Sequence, residues 1–191
     1  MGILIVVGIL VLILLIWVGI YNKLVKQRNW VDEAFSQIDV QLRRRNDLIP
    51  NLVNTVKGYA KHESSTLEAV TQARQQLVNL PKDASPAQVN QESNNLSGAL
   101  SRLLVVAEQY PDLKANTNFT QLQKTLEDIE KQIATARQLF NSSAAQYNTT
   151  IQSVPNNIVA NVHNFTKKDL LETPEEAKAC LLYTSPSPRD S

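Results

Sequence analysis

Glycine, aromatic residues and cysteine are all scarce in this chain of 191 residues. It contains five glycines and one cysteine, and aromatic residues make up 6% of it. This scarcity argues against a β-sandwich or a β-barrel, whose strands and tight turns draw on both glycine and aromatic residues. Glutamine, asparagine, leucine, alanine and valine dominate instead, which favours helices joined by short connections. The composition therefore predicts an all-α protein.

Sequence patterns of catalytic and metal sites are also missing. The two histidines, His62 and His163, are far apart, and neither belongs to an H-E-x-x-H or Glu-x-x-His pattern. There is no glycine-rich phosphate loop and no serine nucleophile motif, and the acidic cluster Glu127, Asp128 and Glu130 has no histidine partner. A formal net charge of +1 carries no electrostatic signature of nucleic-acid binding. We therefore expect no enzymatic activity, cofactor, metal, small-molecule substrate or nucleic-acid partner.

The longest uncharged segment is the apolar run at residues 3–20, ILIVVGILVLILLIWVGI. As a helix it spans roughly 27 Å, close to the hydrocarbon core of a bilayer at about 30 Å. The alternative is a cleaved signal peptide, which needs a basic residue before a shorter run and a small-x-small cleavage site after it. Neither feature is present, so residues 1–21 are predicted to be a transmembrane anchor.

The residues that flank the run predict its orientation. Only Met1 and Gly2 precede it, whereas cations follow it, and the positively charged flank stays in the cytoplasm. We therefore expect a single-pass protein whose N-terminus faces outward and whose body lies in the cytoplasm. The predicted membrane-interface residues are the aromatic and basic side chains Trp17, Tyr21, Lys23, Lys26 and Arg28.

Beyond the anchor, apolar residues recur every three to four positions, which is the period of helices that bury one face. The first helix continues from the anchor with no loop signal, and its stripe runs from Leu24 to Tyr59 with Arg28 and Arg45 in its two gaps. The second opens at residues 65–68, STLE, which read as a capping box, and stops before Pro81. The third opens at residues 85–88, SPAQ, and ends at Pro111; the fourth covers residues 118–154.

Each helix is apolar on one side only, and short connections make sequential helices antiparallel neighbours. The predicted fold is thus a transmembrane helix that continues into an antiparallel, up-down four-helix bundle. The body with its C-terminal extension covers residues 22–171, followed by a short truncated tail at residues 172–179.

The C-terminal peptide at residues 180–190, CLLYTSPSPRD, does not continue the helical pattern. It resembles the forward translation of a transposase-type sequencing adapter, so residues 180–191 are interpreted as read-through rather than native sequence. The alternative is a genuine Ser/Pro tail. Cys180 belongs to this segment, so the native chain is expected to contain no thiol.

Three stretches of the chain resemble the LemA family. They are YNKLVKQRNWVDEAFSQIDVQLRRRNDLIPNLVNTVKGYAKHESSTLEAVTQAR at residues 21–74, EQYPDLKANTNFTQLQKTLEDIEKQIATARQLFN at residues 108–141, and QYNTTIQSVPNNIVA at residues 146–160. The resemblance implies an N-terminally anchored bacterial membrane protein with a four-helix cytoplasmic body. It implies no reaction.

Two residues of the first helix are unusual for their positions. Arg45 lies on the apolar stripe, where an unpaired guanidinium would be very costly. In an antiparallel pairing of the first and fourth helices Glu130 comes within one turn of it, so we hypothesise an Arg45–Glu130 pair that fixes the helix register. Arg45→Leu should then be better tolerated when Glu130 is also made apolar. Pro50 removes a backbone hydrogen bond and is expected to bend the helix.

The predicted function is that of a non-enzymatic scaffold or interaction protein of the bacterial cytoplasmic membrane. Its expected partners are the lipid bilayer and either further copies of the chain or another membrane protein. The alternative is an accessory subunit of a membrane machine such as a protease or a transporter.

For residues 156–171, two placements at the membrane-proximal end stay open. The apolar residues either lie near the bilayer surface, with Lys167 and Lys168 near headgroups, or pack against the base of the bundle; they are Ile158, Val159, Val162, Phe165 and Leu170.

Overall fold

The computed structural model of the protein describes residues 1–172, and within this range it contains helices but no strand. The all-α prediction is therefore confirmed for these residues. The predicted segments 172–179 and 180–191, including Cys180, lie outside the described residues except for Glu172. The helices are α1 (Gly2–Tyr59), α2 (Ser64–Val78), α3 (Pro86–Ala107), α4 (Pro111–Lys114), α5 (Thr117–Gln152) and α6 (Asn156–Val162).

The apolar run lies in the N-terminal part of α1. This stretch is long and apolar enough to cross a membrane. Its side chains are not covered by the rest of the protein: Ile3 is 81% exposed and Val18 is still 47% exposed. A continuous exposed apolar surface of this size requires an apolar surrounding. Within the next four turns beyond Val18, the same helix buries Leu24 and Val31 completely.

The chain forms two compact units. Unit 1 consists of Met1–Leu48 and Gln121–Leu170, and unit 2 begins with Ile49–Thr120 and takes in Leu171 and Glu172. Helices α1 and α5 each contribute residues to both units.

Unit 1 is built on an antiparallel pair formed by α1 and α5. The Phe35 and Phe140 rings meet edge to face with centroids 5.9 Å apart, and the Arg45 and Glu130 side chains are in contact. Ten residues forward on α1 correspond to ten residues backward on α5 between these two contacts, so the register is constant. The core of the pair is aliphatic and aromatic: Leu24, Val31, Ile38, Leu42, Ile129, Ile133, Phe140, Ala144, Tyr147 and Ile151 are all buried.

Unit 2 packs α2 against α3. The Tyr110 hydroxyl donates to Glu63 Oε1 at 3.1 Å, and Asn116 Nδ2 donates to Tyr59 Oη at 2.8 Å. Burial raises the pKa of the Tyr110 hydroxyl, and its hydrogen bond to the Glu63 carboxylate raises that pKa further. The buried apolar side chains of the unit include Leu52, Val56, Leu67, Val70, Leu77, Leu96, Leu100, Leu103, Leu113 and Phe119.

The first residues of α2 and α3 show that one predicted capping box is wrong and that the other is confirmed. Ser65 does not cap α2: the helix begins at Ser64, its N-cap is Glu63, and no side chain caps it. The Glu63 carboxylate accepts from Tyr110 instead, and this tertiary contact holds the chain where the helix starts. The predicted capping box at residues 85–88 is confirmed, since Ser85 Oγ accepts from the Gln88 backbone N–H and the Gln88 side chain accepts from the Ser85 N–H.

Two short helices were not predicted. After α3 ends at Ala107, Pro111 starts α4 rather than simply ending a helix, because proline suits the first turn of a helix. After Pro155 the chain forms α6, which at seven residues is too short to produce a recognisable apolar period.

Candidate functional site

A buried ionic cluster lies within unit 1, at the centre of the α1–α5 pair. Arg45 Nη1 is 2.8 Å from Glu130 Oε1, so the structure brings together the two residues for which the sequence suggested a pair. The Arg45 side chain is 0% exposed, whereas that of Glu130 is 36% exposed. The guanidinium is therefore fully withdrawn from water and the carboxylate only partly. A buried cation needs such a partner, because leaving it uncompensated costs several kcal/mol.

A second guanidinium belongs to this cluster. Arg137, on α5, is 6% exposed and lies two turns beyond Glu130 on the same side of the helix. Burial lowers the pKa of Arg137, the nearby positive charge of Arg45 lowers it further, and the Glu130 carboxylate opposes both effects. The charges of Arg45 and Glu130 thus both act on the buried Arg137 guanidinium, with opposite signs. Sequence reasoning missed Arg137, although its spacing of seven residues from Glu130 was a usable signal.

The neighbouring arginines have surface roles. Arg43 Nη2 lies 2.7 Å from Asp39 Oδ2, and both side chains are largely exposed, so the pair contributes little to stability. Arg44 Nη1 donates to Gln41 Oε1 and to Gln132 Oε1, each at 3.3 Å. Arg44 therefore connects the surfaces of α1 and α5 directly beside the buried cluster.

Pro50 lies inside α1 and its side chain is exposed. The helix runs through this position to Tyr59. The boundary between the two compact units falls between Leu48 and Ile49, next to the proline. The expected bend at Pro50 stays a prediction.

The predicted membrane-interface residues on α1 contact the segment that follows α5. Trp17 Nε1 donates to His163 Nε2 at 3.3 Å, and the Tyr21 ring lies 4.7 Å from the His163 ring and 5.9 Å from the Phe165 ring, centroid to centroid. Asn164 has a left-handed backbone (φ 55°), and the Phe165 N–H returns to the Ala160 carbonyl at 2.9 Å. This turn directs Phe165 back onto α1.

The basic residues of this region take aromatic partners. The Arg28 guanidinium lies 5.2 Å from the centre of the Phe165 ring, and Lys26 Nζ lies 5.0 Å from the Trp30 ring, both within cation–π range. Lys23 is exposed. Arg28 was expected in a gap of the buried stripe, but it is exposed and Gln27 occupies the buried position at 7% exposure. A neutral amide costs less to bury than a guanidinium that has no carboxylate beside it.

An open groove of about 400 Å³ lies between α1 and α5 in unit 1. Two large apolar side chains in it are exposed, Val40 at 54% and Leu139 at 45%. The rest of its lining combines amides with a hydroxyl, a methyl group and one cation: Gln37, Gln41, Lys131, Gln132, Thr135 and Ala136. Among residues 1–172, no group of three or more His, Cys, Asp or Glu side chains is arranged to hold a metal ion.

Comparison with known proteins identifies the family. A sequence model described as the LemA family matches residues 34–181, which is most of the chain and includes the ionic cluster and the groove.

The chain belongs to the LemA family.

Sequence similarity to individual proteins agrees with this assignment. Protein LemA of Metamycoplasma hominis is 30% identical over 146 residues, which cover 76% of this chain and 65% of the relative. Magnetosome protein MamQ of Magnetospirillum gryphiswaldense is 25% identical over 170 residues, covering 77% and 62%. Magnetosome protein MamQ 2 of Paramagnetospirillum magneticum is 24% identical over 175 residues, covering 80% and 64%. The chain spans slightly less than two thirds of each of these relatives.

Together, the exposed apolar stretch of α1 and the family relationship make this LemA-family chain a membrane-associated protein. Its membership of the family assigns it no molecular role.

Proposed function

We propose that this LemA-family protein is a non-enzymatic scaffold, anchored in the cytoplasmic membrane by the apolar stretch of α1, which associates with further copies of itself. The observation that carries the proposal is the open α1–α5 groove with its exposed Val40 and Leu139. Exposed apolar side chains rimmed by polar groups are typical of protein–protein contact surfaces.

The chemistry of the groove favours a second copy as its occupant. A symmetric dimer uses the same patch on both subunits, so the patch must be complementary to itself. Amide side chains meet this requirement because each carries both donors and acceptors, and apolar side chains meet it as well. Gln37, Gln41 and Gln132 supply the amides, and Lys131 is the single charged residue of the lining. A patch with several charges of one sign would instead repel its own copy.

Cysteine crosslinking in native membranes tests this proposal. Val40→Cys and Leu139→Cys, each made in a Cys180→Ser background, should be captured by a short thiol crosslinker as species of twice the monomer mass. Ala134→Cys is the matched control, because it is exposed on α5 but lies on a different face from the groove. Dimers from Ala134→Cys in equal yield would indicate random collision, and no adduct from either groove position would refute the proposal.

The second candidate is an accessory subunit of another membrane machine, a role in which the same groove would receive a foreign protein. Crosslinking at Val40→Cys would then give one dominant adduct whose mass is not a multiple of the chain's own. Mass spectrometry of the excised band distinguishes the two outcomes.

We propose that the body faces the cytoplasm, on the basis of the cations that follow the apolar run. A cysteine at Val105, which is 66% exposed on α3, should react with a membrane-impermeant maleimide only after the cytoplasmic side has been opened. Labelling in intact cells would show that the body faces outward instead.

For the arrangement of the four long helices we propose the up-down bundle, supported by the antiparallel α1–α5 pair and the packing of α2 on α3. Distances between spin-label pairs on α2 and α5 test it.

A further inference from the structure

The short helix α6 exposes apolar side chains on one side and buries them on the other. Val159 and Ala160 are 2% and 1% exposed, whereas Ile158 is 53% and Val162 is 60% exposed. Val154, which precedes the helix, is 79% exposed. Val154, Ile158 and Val162 are spaced four residues apart, so the last two share one face of α6. This face is an unpartnered apolar surface within unit 1.

The contacts of the following residues fix the level of α6 along α1. His163 accepts a hydrogen bond from Trp17 and also lies against Tyr21. Trp17 belongs to the apolar run, about 5 Å before its end at Ile20 at 1.5 Å per residue. The C-terminal end of α6 is therefore level with the last turn of the run.

The register of α5 places the start of α6 near the same level. Phe35 faces Phe140, and Tyr147 lies close enough to Arg28 and Asp32 for their charges to act on it. Continued with the same register, α5 ends at Gln152 level with Lys23. Since α6 starts four residues later and ends beside Trp17, it lies close to the boundary between the apolar run and the basic flank.

Lys168 does not attach this segment to the membrane. Lys168 Nζ is 3.1 Å from Asp32 Oδ1, and the Lys168 backbone N–H and carbonyl are both bound by the Asn148 side chain. Asp32 lies about 18 Å along α1 from Ile20, beyond the reach of about 8 Å over which a charged surface acts in physiological salt. Of the two placements left open for this segment, the one that brings Lys168 to lipid headgroups does not agree with this ion pair.

We propose that Ile158 and Val162 on the exposed face of α6, together with Val154 before the helix, insert into the lipid interface beside α1; this rests on the membrane anchor proposed above. The occupant is the bilayer itself, because the Trp17–His163 contact joins α6 to a turn of α1 within the apolar run. Interfacial helices sink their apolar face about 5–10 Å into the boundary between headgroups and acyl chains. The segment is thus a second, shallow membrane contact in addition to the anchor.

Depth-dependent fluorescence quenching in the full chain tests this contact. Ile158→Cys, Val162→Cys and Val154→Cys are each made in the Cys180→Ser background, labelled with a small environment-sensitive dye, and reconstituted in phosphatidylcholine vesicles. Ala134→Cys is the matched control: an exposed position of the same unit outside the groove, which the α1–α5 register places level with Gln41, about 31 Å from Ile20 along α1. Zwitterionic lipid ensures that charge does not cause the contact.

The proposal expects blue-shifted emission at positions 158 and 162, quenched by a nitroxide near the headgroup end of the acyl chain more than by one at the bilayer centre. The label at position 134 should be quenched by aqueous iodide and not by either lipid. Iodide quenching at positions 154, 158 and 162 equal to that at 134 would overturn the proposal. So would resistance to both kinds of quencher, because a protein surface or a second copy would then cover the face.

Discussion

Removing the Glu130 carboxylate should destabilise the protein more than removing the Arg45 guanidinium, although the two side chains form one ion pair. Their surroundings differ: Arg45 is 0% exposed and has Arg137 as a like-charged neighbour, whereas Glu130 is 36% exposed. In Glu130→Leu, two buried guanidiniums lose their shared carboxylate, and breaking a buried pair in this way costs roughly 3–5 kcal/mol. In Arg45→Leu, the carboxylate keeps Arg137 and part of its hydration, so the cost is roughly 1–3 kcal/mol.

The double variant sharpens the prediction. Arg45→Leu with Glu130→Leu leaves Arg137 as a buried cation but removes its repulsion with Arg45, so its stability should lie between those of the two single variants. This prediction is the opposite of the expectation formed on the pair alone, that Arg45→Leu is better tolerated with an apolar residue at 130, and the measurement decides between them. Arg137 was absent from that expectation.

Thermal unfolding of the full chain in detergent, followed by circular dichroism, measures the effect. One kcal/mol moves the midpoint of a chain of this size by about 2–4 °C, so Glu130→Leu should lower it by roughly 10 °C. Arg43→Leu is the matched control, because its ion pair with Asp39 is exposed and worth less than about 1 kcal/mol. The reasoning fails if Arg45→Leu is the more damaging single change, or if the two changes add to within about 0.5 kcal/mol.

Three further predictions concern single positions. Ser85→Ala should cost about 1 kcal/mol because Ser85 caps α3, while Ser65→Ala should be neutral because Ser65 caps nothing; equal losses in urea unfolding would contradict the observed start of α2. Pro50→Ala should raise the thermal midpoint, since it restores a backbone hydrogen bond worth up to about 3 kcal/mol, and Asn51→Ala is the exposed control that should gain less than about 1 kcal/mol; no gain from Pro50→Ala would mean that the helix depends on the proline. Burial and the charge of Asp32 raise the pKa of Tyr147, and Arg28 opposes them. The folded state thus holds this proton more tightly than the unfolded state, so the associated stability is complete below about pH 10, the pKa of free tyrosine, and is lost as pH rises above it. An ultraviolet tyrosinate titration should show one late-titrating group fewer in Tyr147→Phe.

Periodicity predicted most of the helices because each long helix buries one continuous face. The same stripe placed Arg45 in the core, and the antiparallel order of the first and last long helices brought Glu130 to it. Periodicity could not decide between Gln27 and Arg28, which lie 100° apart on the helix, because the choice depends on whether α5 offers a carboxylate at that level. At that level α5 has Tyr147, whose side chain carries no carboxylate.

The remaining errors come from contacts between residues distant in sequence. Ser65 and Ser85 both precede a capping pattern, but the start of α2 is set by the hydrogen bond between Glu63 and Tyr110, 47 residues apart. The segment that ends α6 is joined to α1 by a hydrogen bond between Trp17 and His163, which are separated by 146 residues. No local pattern contains such information.

With α1 spanning the bilayer as proposed, its uninterrupted backbone would transmit changes in bilayer thickness to the rest of the helix. Its apolar run of about 27 Å is slightly shorter than an average hydrocarbon core of about 30 Å, and helices change their tilt as the thickness around them changes. Because α1 continues as one helix from the run to the ionic cluster, Arg45 lies about 37 Å beyond Ile20 on the same lever. A change in tilt of roughly 10° would swing the cluster sideways by about 6 Å, more than one turn of helix. A LemA-family body on such a lever would translate small differences in membrane thickness into displacements as large as a side chain.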